Sequence, residues 1–186
     1  MLVNRMIRAA MLDPRLYEEV EHDRSATSQA VQVVIIVALA TGIGGALSEL
    51  FSGDLWGAAS SLVAGVIVAV FGWLLWAFVT YLIGTGAFGG TATYGEMLRT
   101  LGFAQSAKIL LIAAGILGWI PLLGGVIWFI VQVWVLLAVF IAIRQALDVN
   151  TIGAALTAII GWAILLVAQI LAGMFGLGFV FLGSLF

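Results

Sequence analysis

The chain is 186 residues long, 64% hydrophobic and 9% charged, with a mean hydropathy of +1.25 and a formal charge of −2. Such values exclude an ordinary soluble domain and leave no basic surface for nucleic acid, so a polytopic membrane protein is expected. The absence of cysteine excludes a disulfide framework and a thiolate metal site.

Crossing a hydrocarbon core of about 30 Å takes about 20 apolar residues, and backbone groups in lipid must bond internally, so the spans are expected to be helices. Residues 1–28 are too charged for a cleaved signal peptide and read as a cytosolic amphipathic or interfacial segment. Val3, Met6, Ile7, Ala10 and Met11 recur at helical spacing with Arg5 and Arg8 off the stripe. This pattern predicts a short helix in the headgroup plane with its arginines snorkelling. Asp13 as N-cap and Pro14 as first helical residue predict a second helix to about Asp23. Leu16, Tyr17 and Val20 would form one face of it and Glu18, Glu19, Glu21 and Asp23 an acidic other face.

Residues 29–186 divide into five spans, at about 29–50, 57–83, 104–120, 124–143 and 152–174. Ser25, Thr27 and Ser28 can cap the first, Glu49 and Asp54 mark the turn after it, and Trp56 suits an interface. The second ends in a Gly/Thr-rich loop, residues 84–93. There Thr93 and Glu96 form a capping-box pattern starting a helix at Tyr94 that should lie along the cytoplasmic surface before entering the bilayer. Only about 12 wholly apolar residues separate Lys108 from Pro121, too few for a full crossing, so the third and fourth spans read as a partly shielded hairpin broken at Pro121 and Gly124-Gly125. The last segment, residues 151–186, should be helical to about Gly173 and then an apolar glycine-rich tail. With these cuts Arg5, Arg8, Arg15 and Arg24 precede the first span, Arg99 and Lys108 surround the second connection, and Arg144 lies at the fourth. All seven cations then share one side, which places the amino terminus in the cytoplasm and the carboxyl terminus outside.

The run Tyr94-Gly95-Glu96-Met97-Leu98-Arg99-Thr100-Leu101-Gly102-Phe103-Ala104-Gln105-Ser106 carries a family resemblance, continued by Ile120-Pro121 with Gly124, Trp134 and residues 142–147. Together they resemble the prokaryotic branch of the Yip-domain family. The resemblance implies a five-helix integral membrane fold with a cytosolic amino terminus, in a prokaryotic cytoplasmic membrane. Eukaryotic relatives are linked to small Rab-type GTPases and vesicle traffic, whereas the prokaryotic members imply no settled activity. Two positions depart from the family pattern. Ala107 stands where many relatives have proline, and Asp54-Leu55-Trp56-Gly57-Ala58, similar to an Asp-Leu-Tyr-Gly-Pro motif, falls on the outer side, so that motif's role is not carried over.

Little in the chain points to catalysis. His22 is the single histidine, so neither a multi-histidine metal site nor a Ser/His/Asp triad can be assembled, and Gly84, Gly86, Gly89 and Gly90 lack the Gly-Lys-Ser/Thr of a phosphate loop. No cofactor is expected. Gln132 and Gln169 are the mid-membrane polar residues, read either as interhelical glue or as solute contacts. Glu96, Arg99, Gln105 and Lys108 form a polar constellation that is either a docking point for a lipid phosphate or a partner's acidic segment, or a local salt bridge seating an interfacial helix. Gly42 with Ala46, and Gly153, Thr157 and Gly161, recur every four residues and allow close helix packing within the chain or between chains. Trp73, Trp76, Trp128, Trp134 and Trp162 read as space-filling or interfacial aromatics, with an apolar pigment or quinone contact as the alternative. The expected function is a non-enzymatic scaffold, assembly factor or accessory subunit contacting lipid, other membrane proteins or itself, with a small-solute permease or channel as the alternative.

Overall fold

The structure, a computed structural model, describes residues 2–51, 53–111 and 123–174. Among them every regular element is a helix. The helices are α1 (Leu2–Ala10), α2 (Pro14–His22), α3 (Ala26–Phe51), α4 (Leu55–Phe88), α5 (Tyr94–Ala104), α6 (Leu123–Leu147) and α7 (Thr151–Met174), with a 3-10 segment at Gln105–Leu110 after α5. Three helices are long and apolar enough to cross a membrane, over Ala26–Ile43, Leu55–Phe88 and Gly125–Leu147, while Thr151–Val167 is apolar but shorter. The span expected at 104–120 opens as the 3-10 segment and continues into residues 112–122, which lie outside the described residues, as do Pro121 and the tail 175–186.

Local signals set most helix ends. Asp13 caps α2 by accepting from Arg15 N, and Pro14 follows at the first helical position. α1 closes on Leu12, whose N–H donates to Ala9 O while Asp13 N–H donates to Arg8 O. This Schellman pattern places Leu12 at φ 62°, an unusual cost of about 1 kcal/mol for a residue with a branched side chain. The Asp54–Ala58 motif turns out to start α4. Asp54 Oδ1 accepts from Gly57 N at 2.7 Å, and a Cβ on Gly57 would stand 2.3 Å from Asp54 Oδ2, so carboxylate and glycine serve one cap. Asp54→Ala should therefore cost about 1 kcal/mol of stability, read as a lower thermal midpoint by circular dichroism in detergent, with Asp54→Asn retaining most of it.

The second span is longer than expected, because α4 runs through Gly84, Thr85 and Gly86 and stops only at Gly89, which takes the left-handed conformation at φ 69°. Thr85 Oγ1 bonds back to Tyr81 O, and only residues 89–93 remain as connector. α3 and α4 pack side by side, α7 packs on α4 and α6, and α5 is enclosed between α3, α4 and α6. Gly42 approaches Leu62 and Gly161 approaches Thr80 closely enough that a Cβ would lie 3.2 and 3.1 Å from those side chains. Ala46, Thr157 and Gly161 are buried within the chain. Gly153 is also buried, but its neighbours are local: its N–H donates to Asn150 Oδ1 at 2.7 Å.

Candidate functional site

The polar side chains converge where α1 and α2 meet α5. Thr93 Oγ1 accepts from Glu96 N and Glu96 Oε2 accepts from Thr93 N at 2.6 Å, so the capping box forms as its spacing predicts. α5 does not lie along a surface, however. Met97, Leu101, Phe103 and Ala104 are buried with Arg99, Thr100 and Gly102, because Ala30 of α3 and Trp73 of α4 close over the helix. Trp73 Nε1 donates to Leu98 O at 3.1 Å and Tyr94 Oη to Leu74 O at 3.0 Å, which fixes α5 against α4.

Arg99 is 6% exposed and does not pair with Glu96. Its Nε donates to Val20 O at 2.9 Å and Glu21 O at 3.1 Å, its Nη2 also donates to Glu21 O, and its Nη1 reaches Thr27 Oγ1 at 3.5 Å. These are carbonyls of the last turn of α2, which lack intrahelical donors and carry the negative end of the helix dipole. The guanidinium thus clamps the amino-terminal hairpin onto the helical body. Lys108 is buried in the 3-10 segment and Gln105 is half-buried at its start. The four residues are therefore near in sequence but not one exposed cluster: Glu96 caps, Arg99 clamps, and Lys108 lies inside.

Further bonds fasten the hairpin. Leu16, Tyr17 and Val20 are fully buried, Tyr17 Oη donates to Ala9 O, Trp134 Nε1 donates to Ala10 O at 2.6 Å, and Gln145 Nε2 donates to Pro14 O at 3.4 Å. Arg5 and Arg8 do not snorkel. Arg5 binds Glu19, Asp23 and Gln29, and Arg8 binds Asp13 and Glu19, at 2.7–3.1 Å. The stripe expected on α1 is accordingly split, with Met6 turned inward beside Ala9 and Val3, Ile7 and Met11 turned outward. The Arg8 guanidinium holds the Glu19 and Asp13 carboxyls below the usual carboxylate range.

Glu21 does not belong to the outer acidic face, being only 7% exposed. Burial, reinforced by the charge of Asp148, pushes its carboxyl up to about 7, with Glu96 and Glu18 adding to the rise and His22 opposing it. A raised carboxyl favours the folded state while protonated, so its contribution is complete below the ordinary value of 4.5 and is lost as pH climbs through about 7. Glu21→Gln should remove that loss. Its thermal midpoint should exceed the parent's at pH 8, by the equivalent of about 1–3 kcal/mol, and the two should converge near pH 4.5.

Beside this cluster an open cleft of about 350 Å³ is lined by Phe88, Gly89, Asp148, Val149, Asn150, Ile152 and Gly153. Among the described residues no group of three or more acidic or histidine side chains is placed to hold a metal. In the body, Gln132 Oε1, Ser106 Oγ, Thr157 Oγ1 and Trp76 Nε1 are buried without a hydrogen-bond partner among the described residues. Gln169 lies on α7, outside the residues whose side chains are described.

Apolar helices with lipid-length runs, a helical bundle closed by small residues and a clamped amino-terminal hairpin define a helical membrane protein. The Yip1 domain family model matches residues 9–182, nearly the whole chain, and the protein belongs to that family. No curated protein and no solved structure matches it.

Proposed function

We propose that this Yip1-family protein is a non-enzymatic scaffold, assembly factor or accessory subunit of a membrane complex, acting through protein and lipid contacts. The observation that carries this reading is the use of its buried polar side chains, Arg99 above all, to hold a hairpin whose outer face is polar and open. Arg15, Glu18, Glu19 and His22 are exposed there, a surface suited to a partner, and the single histidine lies on it rather than in a pocket. The topology proposed with it is five spans in a prokaryotic cytoplasmic membrane, amino terminus inside and carboxyl terminus outside, supported by the one-sided distribution of Lys and Arg. Isolation in mild detergent followed by mass spectrometry should recover a stoichiometric protein or lipid partner. Recovery of the chain alone, monomeric and lipid-free, would count against the reading.

The buried polar atoms of Gln132, Ser106 and Thr157 favour a second reading, a small-solute permease or channel, because a water path through the body would satisfy them. Solute flux into proteoliposomes that is lost in Gln132→Leu would establish it.

A further inference from the structure

Helix α1 and the first residue of the turn after it leave one apolar face uncovered. Val3, Ile7 and Met11 lie four residues apart and are 67%, 54% and 71% exposed, whereas Met6 and Ala9 on the other side are buried. Where α1 is fastened indicates what covers them. Trp134, which donates to Ala10 O, stands ten residues before Arg144 within the apolar run Gly125–Leu147, about 15 Å of helix. The indole's reach recovers part of that depth but not all of it.

The neighbouring helices show how far the apolar surface continues past this level. α4 and α6 end together, with Leu147 against Gly84, and α7 runs back along both, with Gly161 against Thr80. Counting thirteen residues back from Gly84 and from Leu147 sets Phe71 level with Trp134. Beyond Phe71, toward the charged end, α4 still exposes Leu75, Phe78 and Leu82, and α7 exposes Ile159 and Ile152. If water began at Trp134, all five would stand in it.

We propose that α1 is sunk into the acyl-chain region of the leaflet on the Arg144 side, with lipid chains covering Val3, Ile7 and Met11. This deepens the lipid-contact part of the function proposed above and rests on the membrane reading of the chain. The ion pairs of α1 fit this depth. A helix in the headgroup plane would offer Arg5 and Arg8 to phosphates, but both are turned to the carboxylates of Asp13, Glu19 and Asp23, so α1 enters the apolar layer without an unpaired cation. α2, with its exposed polar face, sits on the water side.

The cysteine-free sequence allows a direct test in the full chain. Val3→Cys, Ile7→Cys and Met11→Cys, each spin-labelled in phospholipid nanodiscs, should collide with oxygen several-fold more often than with a water-soluble nickel chelate. Ile67→Cys, on an exposed apolar face of α4, should behave likewise, while Glu18→Cys and His22→Cys should show the reverse preference. Nickel access at the three α1 sites with Ile67→Cys still protected would overturn the proposal and leave the membrane reading intact. Nickel access at Ile67→Cys would instead overturn the membrane reading. Protection of the α1 sites from both reagents would place protein on the face, and dipolar broadening would identify a second copy; either outcome also overturns the proposal.

Discussion

Replacing Arg99 with alanine is expected to free the amino-terminal hairpin while leaving the helical body folded. The guanidinium is the donor that α5 supplies to Val20 O and Glu21 O, two carbonyls at the end of α2. Its removal leaves these groups buried without that donor, at about 1–3 kcal/mol each, and takes a cation from a helix C-terminus, about 0.5 kcal/mol more. A total of about 2.5–6.5 kcal/mol is large against ties such as the apolar contacts of Leu16, Tyr17 and Val20 and the bonds to the body made by Trp134, Gln145 and the Arg5–Gln29 pair. Amide hydrogen exchange should show loss of protection in α2 by at least ~30-fold, and trypsin should gain access to the bonds after Arg15 and Arg24. Arg99→Lys should fall between, since an ammonium keeps the charge but lacks the planar fork that spans two carbonyls. Unchanged exchange in α2 of a folded Arg99→Ala protein would refute the clamp. The same variant separates two roles for Arg99, because an arginine docking an external phosphate would leave the hairpin's exchange unaltered.

What the sequence shows and what it hides differ by range. Asp13 with Pro14, and Thr93 with Glu96, act within three residues, so their spacing alone locates the starts of α2 and α5. The buried face of α2, Leu16, Tyr17 and Val20, is equally readable from helical period. Arg99 is not, because its acceptors lie 78 and 79 residues away and are backbone carbonyls, which carry no side-chain signature. The local pattern pointed to Glu96 at i,i+3, but Glu96 is already engaged by the cap. The same gap hides Glu21. Its neighbours on α2 are solvated acids, and only the approach of α5 and the α6–α7 connection, bringing Glu96 and Asp148, encloses it. Arg5 and Arg8 were legible as off-stripe cations, but whether such cations meet lipid phosphate or protein carboxylate depends on how α2 folds back, which the turn at Leu12 decides. By composition Gly84, Thr85 and Gly86 read as a loop, yet α4 runs through them to Phe88. In the fold Gly84 is helical, and Leu147 packs into the space where its Cβ would stand.

Gly102 is the glycine whose replacement should do the most damage, and the reason lies in which atoms surround it. A Cβ there would stand 2.7 Å from Ala30 Cβ, 3.3 Å from Ala30 Cα and 3.3 Å from Trp73 Nε1. Neither neighbour yields easily: one is the backbone of α3, and the other is an indole held by its bond to Leu98 O. Gly102→Ala should therefore cost about 1–3 kcal/mol despite alanine's better helix propensity, and Gly102→Leu should fail to accumulate as folded protein. Gly84→Ala meets the side chain of Leu147 but no backbone and should cost less, while Gly86→Ala meets nothing within 4 Å and should be neutral or stabilising by up to ~1 kcal/mol. Thermal midpoints in detergent should fall in the order Gly86→Ala, Gly84→Ala, Gly102→Ala. Pairing Gly102→Ala with Ala30→Gly restores the missing space, so the double variant should recover most of the loss; simple additivity would show that the α3–α5 contact is not what Gly102 serves. Because Gly102 follows Arg99 by one turn, displacing α5 here also draws the guanidinium away from α2. Gly102→Ala should accordingly raise hydrogen exchange in α2 as well as in α5, whereas Gly84→Ala, three turns along α4 from Trp73, should leave α2 unchanged.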